Sequence, residues 1–291
     1  MNCYVLHNTI SGKGKRSKSI TTTPLPEGAA ATHITLCESF DCKAFINSLT
    51  TDDTVILCGG DGTLNRFINS IDSFSALPRI YFYAMGSGND FSNDLSLKAG
   101  STLIPLNDYI QNLPSVTVKG KEYRFINGVG YGMDGYVCYE SDRIRQKTGK
   151  PMNYTAVAIK GLLWGFKPLN ATVTVDGKKF TYKKVWLAPC MKGRFFGGGM
   201  MIAPNQDRGN AEGSLTLVVA HDLARLKIAI LFLTIFKGKH IKFKKYVTLH
   251  TGSEISVSYD SPAPMQIDGE PILDVLSYSV TTKNTEKVLG N

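Results

Sequence analysis

Cysteine is scarce in this sequence, and no two cysteines form a CxxC pair. None of the five histidines stands at zinc-finger spacing from a cysteine. The scattered cysteines are Cys3, Cys37, Cys42, Cys58, Cys138 and Cys190. Such isolated thiols are typical of a reduced, cytosolic protein, so the sequence predicts neither disulfides nor structural zinc.

Long hydrophobic runs are also missing. The longest mostly apolar run, Ile228 to Phe236, is far shorter than the ~20 residues that a membrane-spanning helix requires. At the start of the chain, Cys3 to His7 has the pattern of a first strand rather than of a signal peptide. We therefore expect a cytoplasmic protein that touches a membrane at most peripherally.

Two common nucleotide-binding signatures are incomplete. In "SGKGKRSKS" the second glycine of a Walker A loop, counted from Gly12, would fall on Ser17. The segment Gly86-Ser87-Gly88 lacks the third glycine of GxGxxG. These gaps exclude a P-loop and disfavour a Rossmann dehydrogenase.

Positive charge is in excess. The chain has 33 Lys and Arg against 24 Asp and Glu, a formal net charge of +9. Such an excess favours an anionic partner: nucleotide phosphates, an acidic membrane surface or nucleic acid. Composition alone does not choose among the three.

The hydrophobic pattern changes near residue 115. Before it, short apolar runs alternate with helical patterns: Thr54–Cys58 precedes GGDGT, and Leu64, Phe67, Ile68 and Ile71 then follow at helical spacing. This alternation predicts βαβ units and a parallel sheet. We therefore expect an α/β nucleotide-binding domain over residues 1–115.

Beyond residue 115, short strand-like segments dominate, with turn signals such as "VDGKK" and "YDSPAP". The expected strands are 123–129, 171–175, 185–189, 215–220, 247–250, 255–259 and 278–281. Helical patterns interrupt them at about 134–147, 152–166 and 223–237. The sequence thus predicts a second, antiparallel β domain over residues 116–283 with inserted helices, and an active site in the cleft between the domains.

The stretch "TVILCGGDGTLNRF" (54–67) predicts a strand, a glycine turn and a helix start. Bare amides at a helix N-terminus can bind an anion. Asp61 would repel a phosphate unless a divalent cation or ordered water lies between them. An ordinary Gly-Asp-Gly turn is the alternative.

Several further motifs follow in a fixed order. They are "NTISGKG" (8–14), "GSGNDF" (86–91), "NGVGYGMDGYV" (127–137), "GGGMMIAP" (197–204), "EGSLTL" (212–217) and "DGE" (268–270). Together with GGDGT they resemble the diacylglycerol kinase catalytic-domain family, which includes sphingosine, ceramide and bacterial lipid kinases. GGDGT alone is shared with NAD kinases and phosphofructokinases; its combination with the NDF loop and the late DGE is more specific.

The resemblance implies a phosphofructokinase-like (NAD-kinase-like) N-terminal domain and a C-terminal β-sandwich domain, with ATP between them and residues 284–291 returning to the first domain. It also implies Mg²⁺-dependent transfer of the ATP γ-phosphoryl group to a lipid hydroxyl, with diacylglycerol as the leading substrate. A sphingoid base, ceramide or phosphatidylglycerol would fit as well. A soluble-metabolite kinase of the NAD-kinase type, or a nucleotide-binding protein without transfer activity, is the rival class. A homodimer is compatible with the resemblance, and no nucleic-acid partner is expected.

By the same resemblance, the nucleotide is lined by residues of four segments: Asn8, Ser11, Gly12, Thr35, Gly59, Gly60, Asp61, Gly62, Thr63, Asn65, Arg66, Ser87 and Asn89. Asp61, Asp90 and Asp134 match a water-linked network toward the catalytic Mg²⁺, and helix capping is the alternative for Asp90 and Asp134. Glu270 matches the general base, and a plain Asp-Gly hairpin turn beside a solvated glutamate is its alternative.

A second, structural Mg²⁺ is implied near Gly209, Glu212 and Ser214. Glu212 stands where relatives carry aspartate, so the ion could be shifted to Asp207 or be absent. Arg66 is a further departure from the family pattern, because it replaces a glutamate and would add positive charge near the phosphates. Ser92-Asn93 and Thr9 replace an Ala-Arg pair and a proline.

Residues 223–246 contain a helical pattern that is apolar almost all round, and five lysines follow it. They are Lys237, Lys239, Lys242, Lys244 and Lys245. This segment fits either contact with an anionic bilayer or a core helix followed by a solvated basic strand.

Overall fold

The chain forms two compact units. The computed structural model describes residues 2–8, 23–25, 30–37, 39–74, 76–148 and 154–282. The first unit comprises Met1–Gln111 with Phe195–Gly199, and the second comprises Asn112–Arg194 with Met200–Asn291. The sequence gives no sign that Phe195–Gly199 belongs with the N-terminal unit. The predicted return of residues 284–291 lies outside the described residues.

The first unit is built on a five-stranded sheet of order β2-β1-β3-β4-β5. Its strands are β1 (Cys3–Asn8), β2 (Ala31–Leu36), β3 (Thr54–Gly59), β4 (Arg79–Ala84) and β5 (Ile104–Pro105). Strands β1 to β4 are parallel, and β5 is antiparallel to β4. Helices α1 (Cys42–Asn47), α2 (Asp61–Ser70) and α3 (Asp90–Asp94) lie between β2 and β3, β3 and β4, and β4 and β5, and α4 (Asn107–Ile110) follows β5. The predicted parallel α/β sheet is confirmed.

The β3–α2 segment shows why this sequence folds as expected. All six residues of β3 are buried, as an apolar run in a central parallel strand should be. In α2, Leu64, Phe67 and Ile68 are buried and Arg66 is exposed. Ile71 lies just beyond the helix in extended backbone, yet its side chain is also buried.

The second unit contains a ten-stranded sheet whose pairings are antiparallel. Its main order is β15-β14-β11-β8-β16-β17-β6-β7, and β9 joins β10 to β16. These strands are β6 (Ser115–Val118), β7 (Lys121–Arg124), β8 (Gly128–Tyr131), β9 (Leu169–Val175), β10 (Lys178–Val185), β11 (Cys190–Met191), β14 (Leu215–Ala220), β15 (Val247–Gly252), β16 (Glu254–Ile267) and β17 (Glu270–Thr281). Two short strands, β12 (Phe195–Phe196) and β13 (Met200–Met201), precede β14. The predicted antiparallel second domain is confirmed.

One predicted turn is wrong. The segment "YDSPAP" (259–264) lies inside β16, which pairs with β9 over Ile255–Tyr259 and with β8 over Met265–Ile267. The register with β17 shifts on either side of Ala263. Proline lacks a backbone donor and is tolerated at such irregularities, so this composition marks a bulged strand here.

Strand boundaries also differ in two places. The predicted strand 123–129 is divided between β7 and β8, and most of the predicted strand 185–189 lies between β10 and β11. The helices agree better with the sequence: they are α5 (Met133–Thr148), α6 (Tyr154–Lys160) continuing as a π-helical turn (Gly161–Gly165), α7 (Arg225–Ile235) and a 3₁₀ helix (Lys239–Lys242). Among the described residues, none of the helices is long and apolar enough to cross a bilayer.

Candidate active site

The GGDGT segment is a strand-to-helix turn at the carboxyl end of β3. Strand β3 ends at Gly59, Gly60 is the extended N-cap of α2, and Asp61 is the first helical residue. Gly60 supplies no side-chain cap. The first backbone amides of α2 therefore keep the character of an anion-binding helix start.

The end of β1 is tied to this turn. The Asn8 side-chain amide donates a 2.7 Å hydrogen bond to the Thr63 hydroxyl. Two predicted nucleotide residues from different segments are thereby brought together.

The two glycine loops of this unit pack backbone to backbone. A Cβ added to Gly60 would lie 3.0 Å from Gly86 Cα, and one added to Gly86 would lie 2.6 Å from Gly60 Cα. The Met85 amide also donates to the Gly59 carbonyl at 2.7 Å. Bare backbone is therefore needed at Gly60 and Gly86 for contact between the loops themselves, a reason that the sequence alone did not reveal.

Asp61 fixes the start of α3, which directly follows the glycine loop that contains Gly86. Its carboxylate accepts hydrogen bonds from the backbone amides of Asp90 and Phe91, both at 3.1 Å, at the start of α3. Asp61 thus caps α3, whereas Asp90 was the residue considered for capping. The Asp61 carboxylate thereby binds two residues that lie 29 and 30 positions further along the sequence.

Asp90 binds a third glycine segment of the same unit. Its buried carboxylate accepts hydrogen bonds from the amides of Gly198 at 2.9 Å and Gly199 at 2.7 Å. These bonds explain why Phe195–Gly199 groups with the N-terminal unit. Both oxygens of the Asp90 carboxylate accept these hydrogen bonds, while Asp61 accepts from the first amides of α3.

Two buried polar atoms, one in α3 and one in the loop before it, lack a partner in the part of the chain that the structure describes. Asn89 has a left-handed backbone (φ 53°), and its Nδ2 donates to the Gly86 carbonyl at 2.9 Å. Among the described residues, Asn89 Oδ1 and the Ser92 hydroxyl have no hydrogen-bond partner. Buried polar atoms usually find a partner, so these two atoms are suited to contact a ligand.

The other predicted nucleotide residues of this unit differ in exposure. Thr35 is exposed near the end of the edge strand β2, in register with His7. Asn65 is buried in α2 and accepts from Asn69 Nδ2. Arg66 is exposed, and its Nε lies 3.4 Å from the Gly62 carbonyl. Ser87 is exposed as well. Ser11 and Gly12 lie outside the described residues.

In the second unit, Asp134 is a buried carboxylate near the start of α5. Neither of its oxygens has a hydrogen-bond partner among the described residues. Burial raises the pKa of Asp134 to about 7, although nearby backbone amides and Gln266 act in the opposite direction. A Cβ on Gly130 would lie 1.6 Å from Asp134 Oδ2, so Gly130 makes room for this carboxylate. The amides of Asp134 and Gly135, which lower this pKa, belong to the first turn of α5, so the capping alternative for Asp134 stays a prediction.

Glu270 begins β17, directly after the turn Asp268–Gly269. Both turn residues have positive φ (46° and 97°), as a two-residue hairpin requires, and Glu270 is exposed. The hairpin alternative therefore describes the backbone correctly, and it leaves a role for Glu270 open. Burial, and then the charges of Asp134, Asp142 and Glu270, raise the pKa of the Cys138 thiol. Both Asp134 and Glu270 thus act on a residue of α5, a helix that packs against β16 and β17.

Asp268 is a buried residue that sequence analysis treated only as part of a turn. Its carboxylate accepts from the amides of Ile126 at 2.7 Å, Asn127 at 2.8 Å and Gly128 at 2.9 Å. It therefore fixes the Asp-Gly turn against the segment that leads into β8. No local pattern signals a contact across 140 to 142 positions of sequence.

Comparison with known proteins assigns the family. Residues 2–114 match the diacylglycerol kinase catalytic domain, and residues 127–281 match the YegS C-terminal NAD kinase beta sandwich-like domain. The chain belongs to the diacylglycerol kinase catalytic-domain family. This is a family of lipid kinases, as the names of its curated relatives state.

The relatives are distant. A diacylglycerol kinase of Mycobacterium tuberculosis (strain CDC 1551 / Oshkosh) is 26% identical over 204 residues, which are 67% of this chain and 64% of that protein. A diacylglycerol kinase of Bacillus subtilis (strain 168) is 24% identical over 250 residues, 82% of this chain and 78% of that protein. The chain thus spans slightly less than two thirds of the mycobacterial relative.

A solved structure agrees on the fold. The crystal structure of a diacylglycerol kinase from Bacillus anthracis str. Sterne aligns with a TM-score of 0.63 at 15% identity, covering 96% of this chain and 93% of that chain.

Diacylglycerol kinase family membership implies use of ATP, and the resemblance implies two metal sites. Among the residues that the structure describes, no three His, Cys, Asp or Glu side chains cluster closely enough to hold a metal ion. At the implied structural site, Glu212 is exposed and the Ser214 carbonyl already accepts two side-chain hydrogen bonds. Gln206, Arg208 and Asn210 shape this loop, and none of them was among the predicted site residues.

Proposed function

We propose that this protein is an ATP- and Mg²⁺-dependent lipid kinase that transfers the γ-phosphoryl group to a lipid hydroxyl, with diacylglycerol as the preferred acceptor and phosphatidic acid as the product. The observation that carries the proposal is that a chain of this family keeps every carboxylate that the resemblance implies for catalysis, each within one of the matching motifs: Asp61, Asp90, Asp134 and Glu270.

The first unit supplies the nucleotide-binding residues. The amides of Gly60, Asp61 and Gly62 at the start of α2 would bind phosphate oxygens, and the Asn8–Thr63 bond fixes the turn that presents them. Asp61 and Asp90 hold three glycine-containing loops in a defined arrangement through backbone amides. Phosphoryl transfer depends mainly on positioning and charge neutralisation, which such a rigid loop cluster provides.

The second unit supplies the acid–base residues. The exposed carboxylate of Glu270 would take the proton from the attacking lipid hydroxyl. The buried, unpartnered oxygens of Asp134 suit it to bind a hydrated cation. Mg²⁺ bound there through water would neutralise charge on the transferred phosphoryl group.

A substrate panel tests the proposal. The purified chain is incubated with γ-labelled ATP and Mg²⁺ together with diacylglycerol, sphingosine, ceramide, phosphatidylglycerol or NAD. We expect label in phosphatidic acid. Label in NADP would favour a soluble-metabolite kinase, and label in no product would favour a nucleotide-binding protein without transfer activity.

The variant Glu270→Gln separates catalysis from binding. It should abolish labelling while leaving ATP binding close to that of the wild type, because Glu270 is proposed to act on the acceptor only. The matched control is Glu122→Gln, which removes an exposed carboxylate of the same unit. Near-normal turnover by Glu270→Gln would refute its assignment as general base.

We also propose that the second unit contacts an anionic bilayer. The exposed stripe of α7, Leu226, Ile230 and Leu233, is followed by Lys237 and the other four lysines of residues 237–245, all exposed. Beside the start of α7, the Arg225 guanidinium donates to the carbonyls of Leu162 and Phe166, which fixes a turn carrying Trp164 with 77% of its surface exposed. Tryptophan favours membrane interfaces, and each lysine near an anionic surface contributes about 1 kcal/mol.

Vesicle flotation tests this contact. Lys237, Lys239, Lys242, Lys244 and Lys245 are changed together to glutamine, and association with phosphatidylglycerol-containing vesicles should fall strongly. The control with the same net charge changes Lys119, Lys121, Lys178, Lys179 and Lys183, exposed lysines on other strands and turns. Unchanged flotation would contradict the proposal. A concentration-dependent dimer that forms without vesicles and is lost in the first variant would assign the surface to a second copy of the chain.

A further inference from the structure

The loop 206–214 of the second unit is held together by two side-chain amides. Gln206 is buried, and its Nε2 donates to the carbonyls of Ser214 at 3.0 Å, Asp207 at 3.3 Å and Lys192 at 3.4 Å. Asn210 Nδ2 donates to the carbonyls of Asp207 and Ser214, the latter at 3.0 Å. Amide N–H groups therefore converge on carbonyl oxygens inside this loop.

The orientation of both amides is fixed by the groups around them. Asn210 Oδ1 accepts from the Ser214 amide at 2.7 Å and from the Ser214 hydroxyl at 3.2 Å. Gln206 Oε1 accepts from the Thr216 hydroxyl. The Ser214 N–H can only donate, so it must face Asn210 Oδ1. The Thr216 hydroxyl can donate or accept, but the carbonyls around Gln206 can only accept, so the NH₂ group of Gln206 must face them.

This arrangement does not fit a cation. The Ser214 carbonyl, which the family resemblance implies as a metal ligand, already accepts two hydrogen bonds and so uses both of its lone pairs. The N–H groups direct partial positive charge toward the position that an ion would occupy. Glu212, the implied carboxylate ligand, is exposed.

We infer that Gln206 and Asn210 replace the structural Mg²⁺ of the family in this protein, so that the loop folds without a divalent cation. An amide NH₂ group can do what the ion does elsewhere, because it draws several carbonyl oxygens toward one point. A neutral amide adds no net charge, so the loop no longer needs the carboxylate that relatives carry at the position of Glu212.

The loop also acts on the hairpin that carries Glu270. Arg208, at the tip of the amide-bound loop, donates to the Ile126 carbonyl and to Asn127 Oδ1, the latter at 2.9 Å. Asp268 binds the backbone amides of the same two residues. Gln206 and Asn210 are thus positioning residues for the turn before Glu270. This positioning role rests on the proposed kinase function. The inference that the loop folds without a metal ion does not rest on it.

Limited trypsin digestion at Arg208 tests the inference without an activity assay. In wild-type protein, cleavage after Arg208 should be slow and equally slow in EDTA and in millimolar Mg²⁺ or Ca²⁺. In Asn210→Asp, a carboxylate oxygen replaces the NH₂ group that faces two carbonyls. Cleavage should be severalfold faster in EDTA and should slow again when Mg²⁺ or Ca²⁺ is added, because the variant has gained a cation ligand.

The matched control is Gln146→Glu, which adds the same charge at an exposed position of α5 and should behave as wild type. Wild-type protein that becomes sensitive at Arg208 in EDTA would overturn the inference. So would an Asn210→Asp variant that is as resistant as wild type in EDTA. Neither result depends on whether the protein phosphorylates a lipid, so the proposed function can fail while the inference stands.

Discussion

At the scale of single residues, aspartates organise this protein mainly through backbone amides. Asp61 binds two amides of α3, Asp90 binds two glycine amides, and Asp268 binds three amides at the start of β8. A carboxylate is well suited to this work, because charge-assisted hydrogen bonds to N–H groups are stronger than neutral ones. Aspartate at such positions fixes loops that carry no regular structure of their own.

Asp268→Asn should destabilise the protein and slow catalysis together. The amide NH₂ group of asparagine would face at least one backbone N–H, and the loss should be about 2–4 kcal/mol from charge-assisted bonds in a buried site. Urea unfolding measures the loss, and kcat should fall more than the affinity for ATP because Glu270 follows the turn. The control is Asp260→Asn, at an exposed carboxylate of β16 that binds Asn170. Equal unfolding midpoints for the two variants would contradict this role.

Arg66 is the residue that the family pattern did not predict. It is exposed on α2, within the first turns after GGDGT. Arg66→Glu, which restores the family residue, should raise the KM for ATP severalfold with little change in kcat, because a positive charge near the phosphates is replaced by a negative one. Lys98→Glu, a charge reversal at an exposed position after α3, should leave the KM unchanged. An unaltered KM in Arg66→Glu would show that Arg66 does not contact the nucleotide.

At the scale of elements, α7 has two apolar faces with different environments. Ile228, Leu231, Phe232 and Ile235 are buried, while Leu226, Ile230 and Leu233 are exposed. An all-apolar helix normally indicates burial on every side. Here the core explains one face only. The core-helix alternative for residues 223–246 therefore accounts for part of this helix, and contact with a bilayer stays a prediction.

Substitutions on the two faces of α7 should therefore differ. Changing Leu226, Ile230 and Leu233 to glutamine should leave the free energy of unfolding nearly unchanged and weaken association with anionic vesicles. Leu231→Ala, on the buried face, should cost about 2–5 kcal/mol, because it removes buried methyl groups and leaves a cavity. Thermal unfolding and vesicle flotation on the same samples separate the two effects. Strong destabilisation by the triple glutamine variant would show that the outer face is covered.

At the scale of the whole molecule, the two units differ in how the chain places polar groups. In the first unit, parallel strands bring loops to one sheet edge, and the motifs around Asn8, Asp61 and Asp90 follow β1, β3 and β4. In the second unit, antiparallel strands carry their key residues at hairpins and at the start of α5. Net charge is a property of both units together.

The net charge of +9 predicts a salt-dependent membrane association. Binding to anionic vesicles should weaken as the ionic strength rises from about 0.05 M to 0.5 M, because exposed charges are screened over a Debye length of about 10 Å at 0.1 M. Vesicles of zwitterionic lipid provide the control and should bind weakly at every salt concentration. Binding that does not respond to salt would indicate that the apolar residues of α7 and Trp164 dominate the contact.

Much of this protein follows from its sequence alone. The parallel sheet was predictable because the hydrophobic patterns that indicate its strands and helices lie within short stretches of sequence. The apolar strand Thr54–Gly59 and the helical spacing of Leu64–Ile68, for example, belong to one short segment. The strands and helices of the second unit were predictable for the same reason, with boundaries shifted by a few residues. The order of the motifs was sufficient to identify the family, since this order can be seen in the sequence without knowledge of the structure.

Only the tertiary structure decided which side chains fix which loops. Asp61 caps α3, Asp90 binds Gly198 and Gly199, and Asp268 binds amides 140 to 142 positions away. Such side-chain-to-backbone bonds have no period in sequence, so hydrophobic patterns do not encode them. The exposed outer face of α7 and the side-chain amide contacts of loop 206–214 were not predictable for the same reason. Both depend on which distant segments pack against these residues in the folded chain.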